Sequence, residues 1–252
     1  VLLLWVAIWQ FAAMIIAQEF LIPTPIATLK TLIVIAKTEK FYISVLFSLL
    51  RIVVGYLLGV VLGILGAVAS YHSKLFNALF SPILKLIKAV PVASFIILAL
   101  VWFKSDDLPI FIAFLMVLPM IWSTVKSGLD NIDKKYLELA RVYKLDNIKT
   151  FFEIKLPFIL PSLVSTALTA LGFAWKSGVA AEVICRPQIA LGTLLNDNKI
   201  FDMPAVFAIT VVVALLSIIL EFALKSAELS IAKVLISLLG NIFFISETRG
   251  SS

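Results

Sequence analysis

Charge is what this sequence has least of. Of its 252 residues, 14% are charged, against about 25% in an ordinary soluble domain. By contrast 62% are hydrophobic, and the mean hydropathy is +1.11. That deficit excludes a water-soluble core of the usual kind. There is one cysteine, Cys185, so no disulfide can close within the chain. A lone thiol beside an apolar helix reads as a packing residue. The one histidine, His72, has no companion for a metal site and falls at a predicted helix end, where it reads as an interfacial polar group. Paired histidines, His-Glu-x-x-His, Gly-x-Ser-x-Gly and clustered aspartates within the apolar runs are all missing. That absence argues against a membrane-embedded enzyme. Gly-x4-Gly-Lys-Ser/Thr is missing too, so the chain has no P-loop of its own with which to bind ATP.

What the sequence does have is apolar runs. They lie at about 1–17, 45–70, 82–103, 108–125, 156–184 and 205–224, and a run of about 20 residues crosses ~30 Å of hydrocarbon. The alternating segments of about 10 residues that mark a barrel are absent. The predicted class is therefore all-α: a polytopic membrane protein with six transmembrane helices. One membrane domain occupies 1–228, and a C-terminal tail of 229–252 follows, with a surface helix over 231–245. The first run starts at Val1 and has no small-residue cleavage site, so it reads as a span and not a signal peptide. Residues are expected to precede Val1.

Pro23 and Pro25 break any helix after the first run. Residues 26–40 then show helical spacing with Lys30, Lys37 and Lys40 opposite the apolar face, as in a helix lying on the membrane surface. In the second run Gly55, Gly59, Gly63 and Gly66 share one helix face, which lets another helix approach closely. Arg51 is the exception there, because an intramembrane charge is costly and faces protein or a water-filled cavity. Lys85 and Lys88 share a face in the third run. They either snorkel to the headgroups or line an anion path. The fifth run is expected to be interrupted at Trp175-Lys176-Ser177-Gly178.

Net charge is +6. In this setting it reads as loop bias and not as affinity for nucleic acid. The interval 126–155 holds seven lysines and arginines, and 71–88 holds three; the alternate connections 104–109 and 183–204 hold one (Lys104) and two (Arg186, Lys199). The basic loops belong in the cytoplasm, and six spans put both termini there too. The three lysines between the first two runs point the other way.

The interval 126–155 is the longest polar one, and it is patterned. Asp133 can cap a helix running to Val142, with Lys134 and Glu138 as i,i+4 partners. Leu145-Asp146 breaks the pattern, and Asp146 can cap a second helix through Phe152. Tyr136, Leu139, Ala140 and Tyr143 put apolar matter on this knob. They mark either a contact surface or a knob packed under its own helices.

Glu138-Leu139-Ala140, three residues, Lys144, nine residues, then Ile154-x-Leu156-Pro157 resembles the signature loop of binding-protein-dependent ABC importer permeases, Glu-Ala-Ala-x3-Gly-x9-Ile-x-Leu-Pro. The spacing matches in full. Leu139 replaces an alanine, and Lys144 replaces the glycine that allows the family's sharp bend. Lys144 must bend without that freedom, or the bend falls at Leu145. Phe20 to Pro25, Ser48 to Tyr56, Ile87 to Pro91, Leu100 to Phe103, Ala174 to Lys176 and Ala181-Glu182 look like the nitrate/sulfonate/taurine subgroup.

The resemblance implies a type I ABC importer-like fold in the cell inner membrane of a bacterial-type cell, surrounded by lipid. The chain would pair with a second copy of itself around one path. Two ATPase subunits, binding ATP and Mg, would dock on the cytoplasmic side, and an extracytoplasmic substrate-binding protein would dock opposite. This chain would be no enzyme and would hold no cofactor. Its ATPase-coupling loop would comprise Tyr136, Glu138, Leu139, Ala140, Arg141, Tyr143, Lys144 and Leu145, with Leu156 and Pro157. The substrate would be a small anion, a sulfonate-like solute or a vitamin precursor. Arg51, Trp175, Lys176 and Glu182 are the candidates for the translocation path. Lys176 with Arg51 either offers charge to an anion, or the charged residues form structural pairs with other helices. An ATP-independent secondary transporter or channel is the rival class. No inverted repeat typical of many such carriers is visible.

Overall fold

The structure, a computed structural model, describes the backbone of residues 2–198 and 202–249 and the side chains of 3–146, 149–198 and 202–226; Lys199 lies outside the described residues. The helices are α1 (Leu2–Ile16), α2 (Pro25–Ile35), α3 (Glu39–His72), α4 (Lys74–Ala89), α5 (Val92–Ala99) and α6 (Leu108–Asp130). Then come α7 (Lys134–Val142), α8 (Asn147–Thr150), a π-helical turn over Phe151–Lys155, α9 (Leu156–Cys185), α10 (Leu191–Asn198) and α11 (Met203–Arg249). Among the described residues there is no strand.

Four stretches are long and apolar enough to cross a membrane: Glu39–His72, Leu108–Asp130, Phe151–Cys185 and Met203–Ser226. The straight span expected over 82–103 is instead two helices, α4 and α5, bent by 106°. Taken as one span, this pair makes a fifth. The cause is Pro91. It forces Val90 into the extended region (ψ 132°), which ends α4. Residues 71–81, between the second and third apolar runs, are largely helical as well, because Ser73 caps α4 by accepting from the Phe76 N–H at 3.2 Å. The first run forms a helix of 15 residues, about 22 Å long at 1.5 Å per residue.

The glycine face does what its spacing implies. Gly55 abuts Ile110 and Ala113, Gly59 abuts Val117, Gly63 abuts Ile121 and Gly66 abuts Trp122. Partner numbers rise together, so α3 and α6 run parallel in backbone contact. A Cβ at Gly59 would lie 2.6 Å from Val117 Cβ, and one at Gly63 2.9 Å from Ile121 Cβ. The opposite face of α3, with Leu57, Leu58, Val61, Leu62 and Leu65, is exposed, as suits a lipid-facing surface. Trp122 closes the seam by donating to Ser70 Oγ at 3.2 Å.

Helix α9 packs across both partners. Thr166 and Thr124 share a hydrogen bond of 3.0 Å, Tyr56 donates to the Ala167 carbonyl at 3.2 Å, and Gly178 lies against Ile52. Contrary to expectation, α9 is not interrupted at 175–178. Ser177 bonds back to the Phe173 carbonyl at 2.7 Å, so its hydroxyl is satisfied inside the helix. Trp175 turns into the core, not out of it.

Candidate functional site

The knob is built by three local devices. Asp133 accepts from the Lys135 N–H at 3.0 Å and starts α7. Lys144 then takes the left-handed conformation, φ 50°. Its N–H donates to Arg141 O at 3.0 Å, and the Leu145 N–H donates to Ala140 O at 2.9 Å. This pair of bonds is a Schellman C-cap, which glycine normally supplies. So the bend falls on Lys144 itself, at the family's glycine position, although a side chain in that region costs about 1–2 kcal/mol. Asp146 accepts from the Lys149 N–H at 2.7 Å and starts α8. The second helix does not stop at Phe152, however. It runs through the π-helical turn into α9, where Leu156 and Pro157 form the first turn.

Burial separates the two faces of α7. Ala140 is 3% exposed, and Leu137 packs against the main core. Tyr136, Leu139 and Val142 are exposed, and Tyr143 is 71% exposed. Glu138, Arg141 and Lys144 are exposed beside them. The i,i+4 pair expected of Lys134 and Glu138 is not among the ion pairs formed by the described residues. At its far end the knob is pinned by Lys155, whose ammonium sits 4.8 Å from the Tyr71 ring centroid. A recess of about 500 Å³ lies there, lined by Val68, Tyr71, His72, Leu129, Phe151 and Lys155.

A second polar cluster sits at the opposite end of the bundle. Glu182 of α9 is 0% exposed. Its Oε2 accepts from Ser48 Oγ at 2.8 Å and from the Gly192 N–H at 3.2 Å, and Ser48 Oγ accepts in turn from the Leu191 N–H at 2.9 Å. The carboxylate thus answers the N-terminus of α10. Arg51, with 11% of its side chain exposed, stands 3.8 Å from Glu182 Oε1. It also donates to the Ile189 carbonyl at 2.7 Å and to Asp106 Oδ1 at 2.8 Å. One guanidinium therefore joins α3, α9, the turn before α6 and the loop before α10. Beside it, Arg186 (φ 52°) turns the chain out of α9 and pairs with Asp197 at 2.7 Å.

The four residues expected along a path do not converge. Arg51 and Glu182 bind each other. Trp175 is 1% exposed and donates to the Val213 carbonyl at 3.0 Å, joining α9 to α11 inside one subunit. Lys176 alone is exposed. Cys185 is buried and donates weakly to the Ser105 carbonyl at 3.3 Å, consistent with packing.

The fold has known counterparts. It superposes on an inward-facing MetNI methionine ABC transporter with a TM-score of 0.58 at 16% identity, covering 74% of this chain and 91% of the other. An amino acid ABC transporter gives 0.60 at 14% identity, covering 77% and 93%. Residues 55–233 match the family model described as the binding-protein-dependent transport system inner membrane component. The chain belongs to this family. Three relatives sharpen the placement of this permease. The Synechococcus elongatus nitrate import permease is 29% identical, covering 72% of this chain and 68% of its own. The Escherichia coli taurine transport system permease is 23% identical, covering 87% and 82%. A Bacillus subtilis protein whose name provisionally assigns it to aliphatic sulfonates transport is 26% identical, covering 81% and 77%. The protein is the transmembrane subunit of an ABC importer.

One part of the permease was only half visible in its sequence. Asn77, Ser81, Lys85 and Lys88 follow one another at helical spacing on α4 and face α6 across a groove of about 430 Å³. Lys88 Nζ donates to Ser123 Oγ at 2.9 Å, and Lys126 pairs with Asp130. The shared face of Lys85 and Lys88 was legible. The groove itself depends on α4 lying beside α6, which the sequence does not show.

Proposed function

We propose that two copies of the permease enclose one path and that each presents the outer face of α7 to its own ATPase subunit in the cytoplasm. A binding protein meets the opposite end, where Arg51 and Glu182 lie, and delivers a small oxyanion. ATP and Mg²⁺ are bound by the ATPase, and this chain performs no hydrolysis. The observation that carries the reading is the division of α7. Ala140 and Leu137 anchor it, while Tyr136, Leu139, Val142 and Tyr143 stand uncovered on a loop that a free protein would keep polar. The seven basic residues of 126–155 support a cytoplasmic knob. The nitrate and taurine relatives support a small oxyanion or a zwitterionic sulfonate as cargo.

The test is Glu138→Lys in the complete transporter, alongside deletion of residues 133–152. Uptake driven by ATP should fall by about tenfold or more, as for reversal of an interface hot spot, while ATPase activity continues uncoupled and the helices still insert. Normal coupled uptake by the deletion would overturn the reading. Uptake that persists after ATP is exhausted, with no ATPase subunit co-purifying, would instead favour an ATP-independent carrier.

A further inference from the structure

We propose that the groove between α4 and α6 is an oxyanion-binding vestibule whose ammonium groups are those of Lys85, Lys88 and Lys126. The proposal deepens the importer reading and rests on it for direction, because the groove lies at the knob end, where imported solute leaves.

The observations are geometric. Beyond Lys74 at its start, the polar residues of α4 fall at 77, 81, 85 and 88, one helix face, whereas Leu75, Leu79, Ile83 and Leu86 are exposed on the other. The groove therefore has a polar wall within an apolar setting. Ser123 and Ser127 of α6, with Asn131 just past its end, supply neutral hydrogen-bonding groups on the facing wall. Ser123 lies seven residues before Asp130, which places the inner end of the groove about 10 Å along the α6 axis from its end.

Charge then decides what the groove takes. Three lysines line it against one carboxylate, Asp130, and that carboxylate is already paired with Lys126. Lys88 has only a neutral partner, Ser123, and Lys85 makes no hydrogen bond or ion pair among the described residues. Ammonium groups at the edge of a low-dielectric layer, unanswered by protein carboxylates, focus an attractive potential for an anion. A volume of about 430 Å³ admits a sulfonate or phosphate group with its organic part or its water. Arg51 cannot play this role, because its guanidinium is committed to Ile189, Asp106 and Glu182. Lys176 does not line this groove. The oxyanion is carried either by a solute in transit or by a lipid headgroup, since the same donors serve both.

Two binding arms separate these sources. In the first, the permease purified with its ATPase in a phosphate-free maltoside detergent is titrated with radiolabelled sulfate and with ethanesulfonate. In the second, the same preparation is given phosphatidylglycerol, and lipid retention is read by native mass spectrometry. Lys85→Gln/Lys88→Gln should weaken binding by about tenfold or more in the arm that applies, since each charge-assisted hydrogen bond is worth about a decade. Lys85→Arg/Lys88→Arg should retain it, and Asp130→Asn should tighten it. A loss in the sulfate or ethanesulfonate arm assigns the site to solute, and a loss in the lipid arm assigns it to headgroups. Should the double variant fail to assemble, Lys85→Gln alone serves, because that side chain is exposed and unbonded. The proposal is overturned if wild type binds no probe, if the glutamine variants bind as wild type does, or if the arginine variant loses as much as the glutamine one. Binding is read on the permease whether or not an ATPase co-purifies, so failure of the importer reading stays separate.

Discussion

Replacing Arg51 by methionine should be the most damaging single polar change in the membrane domain, and its cost can be built from three contacts. Asp106 is half exposed, with 54% of its side chain accessible, so losing that pair costs about 0.5 kcal/mol. The bond to the Ile189 carbonyl is charge-assisted and costs about 1.5 kcal/mol. Glu182 is the large item. It is fully buried with Arg51 Nη1 3.8 Å away, and at an effective dielectric of ~20 that attraction is about 4 kcal/mol before the lost guanidinium is credited with its own desolvation. Taking about half of it as the net loss gives a total near 4 kcal/mol, within the ~3–5 kcal/mol expected when one partner of a buried pair is removed. Glu182→Gln keeps a carbonyl oxygen for Ser48 and Gly192 but needs no cation. Arg51→Met/Glu182→Gln should therefore recover about 2 kcal/mol relative to the sum of the single changes, the usual size of coupling between contacting groups. The assay is thermal denaturation of the four proteins of the cycle in one detergent, read by intrinsic tryptophan fluorescence. If Arg51→Met melts with wild type, or if the double variant is only additive, the guanidinium does not compensate Glu182 and the reasoning fails.

Two further predictions concern the backbone. Lys144→Gly should be neutral to stabilising, because relief of about 1–2 kcal/mol at a left-handed residue outweighs glycine's ~0.5–1 kcal/mol entropic cost; Lys144→Val should be destabilising, and the melting temperatures of the two variants check the order. Gly59→Ala places a Cβ 2.6 Å from Val117 Cβ, so α3 and α6 must part, at about 1–3 kcal/mol; a lower melting temperature with unchanged membrane insertion is the expected pattern, and a wild-type melt would mean the seam is looser than described.

What could be read ahead of the fold was whatever is local. The glycine face of α3, the Asp133 and Asp146 caps and the apolar residues on the knob each depend on neighbours within a turn or two. What could not be read is long-range. Arg51 reaches Asp106 and Ile189 across 55 and 138 positions, and nothing in the spacing of its own helix shows which partners it finds. The cluster at 175–178 and the family resemblance made Trp175 a candidate for the path. Its burial was decided by α11, whose Val213 carbonyl takes its N–H. The bend between α4 and α5 is intermediate. Pro91 was visible, and the rule for the residue before a proline predicts a break, but the apolar run on either side argued for one straight span. The knob's second helix shows the reverse error, a break expected where the chain stays helical through a π turn.

The placement of the knob bears on how a push on it is transmitted. It hangs between α6, which ends at Asp130, and the π turn that opens α9 at Leu156. Those two helices pack along each other through Thr124–Thr166 and Gly128–Ile159, and α6 is locked to α3 by the glycine seam. Interfaces packed this closely do not deform smoothly. A displacement delivered to Tyr143 or Leu139 therefore reaches α3, α6 and α9 together. At the far end the same three helices meet again. Arg51 of α3 ties Glu182 of α9 to Asp106, two residues before α6. The two polar clusters, one exposed and one buried, thus terminate the same rigid unit. In the proposed coupling, the exposed one is where an ATPase subunit would act, and the buried one ties the same three helices together.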